Sequence, residues 1–150
     1  MCKPQIKLSL GREMKSRIST ATEILNYRIE DVWDTITDNE NWQWRSDLQN
    51  LRILNDNEFI EYSKGDMEIH FTITKKQTYK VYEFTMDSKH FSGEWRGDFE
   101  KLPDGKTKIT FTESLVFKKL LLKIFASIFF NLKAAQDTYM LDLKKKLGET

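Results

Sequence analysis

Glu113 shares a strand phase with Ile109, Phe111, Leu115 and Phe117, so simple alternation puts its carboxyl group into an aromatic-lined interior. Burial of an acid without a partner raises its pKa, and a protonated or half-solvated carboxyl in an apolar pocket can act as a hydrogen-bond anchor or a general acid. The plainer expectation is that Glu113 pairs with Arg45 or a tyrosine and only fixes structure. Glu61 poses the same question less sharply. Its stretch, Glu58-Phe59-Ile60-Glu61-Tyr62, is apolar on both faces, so alternation alone leaves its phase open. With Glu61 inward, two carboxylates would share one cavity and could divide acid and base roles, provided the geometry allows it.

Other reactive residue types offer little. His70, His90 and Cys2 show no metal-ligand spacing and no paired nucleophile and base, and His70 falls on the solvent phase of its strand. There is no glycine-rich phosphate loop and no Gly-x-Ser-x-Gly elbow, so neither a metal nor an organic cofactor is expected. Gly93 and Gly97 flank Trp95 on one strand face. Glycines there provide either room for a ligand beside the indole or the curvature a strongly bent sheet needs.

Composition narrows the field further. The 150 residues carry 24 basic and 23 acidic side chains, a net charge of +1, too balanced for a dedicated nucleic-acid binder. A single cysteine excludes a disulfide framework and fits the reducing cytoplasm. Residues 1–15 are charged, lack a continuous apolar segment and read as an extension to a single domain at 16–150. Met14, just ahead of the patterned sequence, is an alternative natural start.

The elements that must position Glu113 follow from periodicity. Residues 16–25, with Ile18, Thr20, Thr22 and Ile24 alternating with polar or small neighbours, suit a half-buried strand. Ile29, Val32, Trp33 and Ile36 recur at helical spacing, with Glu30 and Asp31 in the first turn. Trp42 and Trp44 then sit in a polar stretch expected to form a second helical turn or a loop, with both indoles plugging one end of the sheet. From Leu48 the period is two for about 70 residues, with turn signals at 55–57, Gly65-Asp66, 87–89 and Pro103-Asp104-Gly105, read as six strands in meander order. One runs Phe91, Gly93, Trp95, Gly97 and Phe99 on its inner face; Ile69, Phe71, Ile73 and Tyr82, Phe84, Met86 form the inner faces of two others.

The last third reads as one helix of about 28 residues, about 42 Å long, whose stripe Leu120, Ile124, Ile128, Leu132, Ala135, Tyr139, Leu143 and Leu147 covers the inner face of the sheet. Lys144, Lys145 and Lys146 complement its C-terminus, and Gly148 suits a left-handed cap. Its front half adds Leu121, Leu122, Phe125, Phe129 and Phe130. That surface is expected to pack under loops and line the pocket; a dimer face, a ligand gate or transient membrane contact helped by Lys118, Lys119 and Lys123 are the functional alternatives.

This order of elements, with Ile29-Glu30-Asp31-Val32-Trp33-Asp34-Thr35-Ile36-Thr37-Asp38, Trp44-Arg45-Ser46-Asp47-Leu48, Phe91-Ser92-Gly93-Glu94-Trp95-Arg96-Gly97, Phe111-Thr112-Glu113 and Tyr139-Met140-Leu141-Asp142-Leu143-Lys144, resembles the START and polyketide-cyclase-like (SRPBCC) superfamily over 16–148. The resemblance implies an α+β helix-grip fold: a seven-stranded curved antiparallel sheet around a long C-terminal helix, with two short helices after strand one. It favours Phe59 and Glu61 inward. It also implies a cavity for a lipid, sterol, polyketide or other apolar molecule, and no shared catalytic set. The expected function is therefore binding of a hydrophobic or amphipathic small molecule by a monomer or homodimer. Glu61, Phe71, Phe84, Trp95, Phe111, Ile128 and Tyr139 would line the site, with Glu113 as polar anchor. A cyclase or dehydratase using Glu113, helped by Tyr139 or Arg45, is the alternative, and an interaction module using the Phe-rich helix surface is a third.

Overall fold

The structure, a computed structural model, describes residues 16–118 and 122–148, with side chains described from Leu132 onward in the last helix. The expected extension at 1–15 lies outside the described residues, as do the side chains of the expected wall residue Ile128 and of the Phe-rich helix front. Seven strands, β1 (Ser16–Leu25), β2 (Leu48–Asn55), β3 (Glu58–Ser63), β4 (Glu68–Gln77), β5 (Val81–Ser88), β6 (Phe91–Lys101) and β7 (Thr107–Phe117), form one sheet. Its order is β1-β7-β6-β5-β4-β3-β2, with every pair antiparallel. Helix α1 (Ile29–Thr37) and a single 3₁₀ turn (Trp42–Trp44) follow β1, and helix α2 (Leu122–Leu147) closes the chain. Register shifts in β2–β3 and between Ile73 and Lys75 in β4 help the sheet bend around α2.

Side chains pack in two groups. One joins α1, the end of α2 and the adjoining ends of β1, β6 and β7, with Leu25, Val32, Ile109 and Leu143 wholly inaccessible to solvent. Trp33 organises it, meeting Phe99 edge-on at 4.9 Å and Tyr82 at 6.2 Å. The other gathers Leu48, Leu51, Phe59, Phe71, Met86, Phe91, Leu115, Phe117 and Leu132, and Ile73, Phe84 and Trp95 touch both. The stop of α2 is as expected: Gly148 takes a φ of 111° and donates its N–H to the carbonyls of Lys144 and Lys145.

Several expectations need correction. Ile18 and Ile24 are 70% and 54% exposed, and the inner face of β1 is instead Ser19, Ala21 and Leu25. Small residues are required there because α2 lies against β1, close enough for the Ser19 hydroxyl to donate to Gln136 Oε1 at 2.6 Å. On α2 itself Ala135 borders the cavity as expected but is exposed, while Gln136, one position on, is buried and also donates to the Ser19 carbonyl. The two indoles do not plug one end together. A 3₁₀ turn advances about 120° per residue, so Trp42 and Trp44 diverge and join different packing groups. The turn between β4 and β5 carries no Gly, Pro, Asn or Asp, and Tyr79 takes a φ of 62° there, its ring 6.1 Å edge-on to Trp33.

Gly97 makes room for Trp95 itself: a Cβ at position 97 would stand 2.6 Å from the indole. At Gly93 it would stand 2.4 Å from the Ser114 carbonyl oxygen. Both glycines thus serve close packing within the sheet.

Asp142 of α2 fixes the segment after the 3₁₀ turn, its Oδ2 accepting from the Ser46 N–H and hydroxyl at 2.7 Å each. Asp142→Ala removes both bonds at a buried site and is expected to cost about 2 kcal/mol. Urea unfolding with Asp142→Asn as comparison measures it, Asn retaining part of the loss.

Candidate functional site

One ladder row sets the floor of the site. Ile73 faces Phe84, Phe84 faces Trp95, Trp95 faces Glu113 and Glu113 faces Ser19 across successive strands. Phe84 and Trp95 stack in parallel at 4.7 Å, and Phe59 and Phe71 do so in the neighbouring row at 4.8 Å. Between this floor and α2 lies a cavity of about 200 Å³. Its walls include Phe71, Phe84, Trp95, Phe111 and Tyr139, all expected from the sequence, and both Glu61 and Glu113 face it.

Glu61 on β3 and Glu113 on β7 are four strand spacings apart, about 19 Å in a flat sheet. Curvature brings both to one hollow, where the charge of Glu61 acts on Glu113. They are not equivalent. Glu61 accepts from Arg45 Nη1 at 2.5 Å and Nη2 at 3.4 Å, while Asp47 takes Nε at 3.2 Å and Nη2 at 2.7 Å. The Arg45 guanidinium also lies 5.1 Å from the centre of the Tyr139 ring. Burial works against the Arg45 charge, but Glu61 and Asp47 prevail and hold its pKa above the ordinary value. Burial pushes Glu61 upward and Arg45 pulls it back.

The structural ion pair expected for Glu113 therefore belongs to Glu61. Among the described residues no hydrogen-bond donor reaches the Glu113 carboxyl. Burial, reinforced by the charge of Glu61 and opposed by Arg45, lifts its pKa from 4.5 to about 7. Burial likewise raises Tyr139, and raises Tyr82 to about 12. The Tyr82 hydroxyl sits buried near Asn39 without a well-formed hydrogen bond. No group of three His, Cys, Asp or Glu side chains among the described residues is placed to hold a metal ion. His70 lies beside Glu58 at 3.4 Å, outside this cavity.

Sequence reasoning missed Asp47, Tyr82, Asn39 and Gln136 as cavity residues. Tyr82 was legible as inward, and Gln136 lies one helical turn beyond Leu132. Asp47 and Asn39 sit in a loop with no period to place them.

The sheet, the gripped helix and the hollow between them define the helix-grip fold of the START and polyketide-cyclase-like proteins. Solved structures agree. A START superfamily protein from Mycobacterium smegmatis superposes with a TM-score of 0.71 at 13% identity, over 86% of this chain and 95% of that one. The Zhui aromatase/cyclase from Streptomyces sp. R1128 gives 0.76 at 10% identity, over 90% and 99%. A conserved protein of unknown function from Enterococcus faecalis gives 0.64 at 19% identity, over 91% and 73%. No curated protein matches the sequence. Within this fold the chain belongs to the family described as Domain of unknown function (DUF3284), whose model matches residues 19–131. Among the described residues no helix is long and apolar enough to cross a membrane.

Glu113 keeps its proton to about pH 7 when folded, whereas an ordinary glutamate loses it near 4.5. Between those values the folded state binds more protons, so this group's contribution to stability falls as pH rises, by up to about 3 kcal/mol. Glu113→Gln removes that loss. Urea midpoints should show the variant more stable than wild type at pH 8 and nearly equal to it at pH 4.

Proposed function

We propose that this protein binds a small hydrophobic or amphipathic molecule between sheet and C-terminal helix. Glu113 is the polar anchor, and Phe71, Phe84, Trp95, Phe111 and Tyr139 form the walls. One observation carries the reading: an aromatic-lined hollow persists beside a carboxyl that no donor reaches among the described residues, where packed side chains would otherwise fill the space. An engineered apolar cavity of about 150 Å³ holds benzene, so about 200 Å³ fits a one- or two-ring compound better than a sterol. In this reading Glu61 positions Arg45. The cytoplasmic setting suggested by the lone cysteine belongs to the same proposal.

A second reading, an enzyme of the cyclase or dehydratase kind, draws support from the near-neutral pKa of Glu113 and its place in one cavity with Tyr139. The Zhui aromatase/cyclase shares the fold. Here Glu113 would act as acid or base, while Arg45, engaged by two carboxylates, would orient rather than transfer protons.

Native mass spectrometry of gently purified protein, with thermal-shift screening of ring compounds, separates the readings. A retained or stabilising compound, recovered unchanged, is the expected result. Turnover that Glu113→Gln abolishes would establish the enzyme, and an empty protein that no compound stabilises would end the binding reading.

A further inference from the structure

The charges around the cavity are unequal. Asp47, Glu61 and Glu113 face Arg45, the only Lys or Arg among the described wall residues. Arg45 is committed: Glu61 and Asp47 together engage Nε, Nη1 and Nη2, and its guanidinium lies beside the Tyr139 ring. Among the described residues an anionic ligand would therefore meet surplus negative charge and no free cation. Glu113 is the open group, enclosed beside Trp95 and Phe111, facing the hollow and lacking a hydrogen-bond donor among the described residues.

An ionised carboxylate so enclosed needs a positive partner that brings its own donors. A primary ammonium supplies charge and three N–H groups, and the surrounding ring faces attract cations further. We propose that the cavity takes a small aromatic amine, its ammonium paired with Glu113 and its ring packed against Phe84, Trp95 and Phe111. This rests on the ligand-binding reading above and specifies the chemical class of the ligand.

The groups bearing on Glu113 are Arg45 and Asp47 from the segment after α1, Glu61 from β3, Tyr82 from β5 and Tyr139 from α2. Arg45 and the two tyrosines hold their protons through neutral pH. Burial raises Glu61 as well, but the bound Arg45 opposes that rise; Glu113 has no such bond among the described residues, and amine binding should tighten as pH rises through its titration.

Isothermal titration of the full chain with 2-phenylethylamine, 2-phenylethanol and 3-phenylpropanoate, at pH 6 and pH 8, tests this with one ring and three head groups. The amine should bind at least tenfold more tightly than either analogue at pH 8, and lose about tenfold at pH 6, as ionisation near pH 7 requires. Glu113→Gln should erase the preference while still accepting the alcohol. The wild-type pH comparison stands even if that variant folds poorly. Equal or tighter binding of the alcohol or the acid overturns the amine assignment and leaves the ligand-binding reading intact. Absence of binding by all three also overturns the amine assignment, while the ligand-binding reading stands or falls on the mass-spectrometric and thermal-shift result above.

Discussion

The pairing of Arg45 with Glu61 and Asp47 is the constraint around which the interior is arranged. A guanidinium with 17% of its side chain exposed cannot lie in an aromatic interior without compensation, and two carboxylates supply it from different parts of the chain. Glu61 comes from β3 and Asp47 from the segment that Ser46 ties to Asp142 of α2. One buried cation therefore links sheet, loop and helix. It also explains why Glu113 has no cation partner among the described residues: the arginine that would have neutralised it is already engaged.

The hollow beside this network is costly to keep. At about 24 cal/mol per Å³, an empty cavity of about 200 Å³ would cost about 5 kcal/mol, comparable to the whole stability of a marginal domain. Three carboxyl groups make this one polar enough to hold water, which reduces that cost. Gly93 and Gly97 do not create this hollow, because Leu115 and Trp95 already fill the space over them. Two of the cavity's rings, Phe84 and Trp95, pack face to face on neighbouring strands at 4.7 Å and so spend part of their bulk on each other.

Legibility in the sequence followed the strength of alternation. β6 and the inward run of β7 were plain because each alternates cleanly over many residues, and this placed Trp95, Phe111 and Glu113 correctly. β3 was ambiguous for a physical reason: Ile60 is 6% exposed although it is out of phase with Phe59 and Glu61, so apolar character marks both faces. β1 was misread because its inner face is chosen for closeness to α2 rather than for hydrophobicity. The network at Arg45 was hidden because its members lie up to 16 residues apart with no shared period. The β2–β3 hairpin brings them together, continuing past the Leu48–Ser63 pair so that the Asp47 carbonyl accepts from the Lys64 N–H, and an aperiodic segment before a strand does not announce where its side chains turn.

The fit of the Trp95 indole into the space left by Gly97 has an evolutionary consequence. Neither position can drift independently: a side chain at 97 is tolerated only where 95 has already shrunk, and a smaller residue at 95 deepens the hollow on the Glu113 side. Relatives of this chain should therefore differ at the two sites in concert, trading bulk between them, and that exchange would retune which guests the fold admits without altering a single polar group.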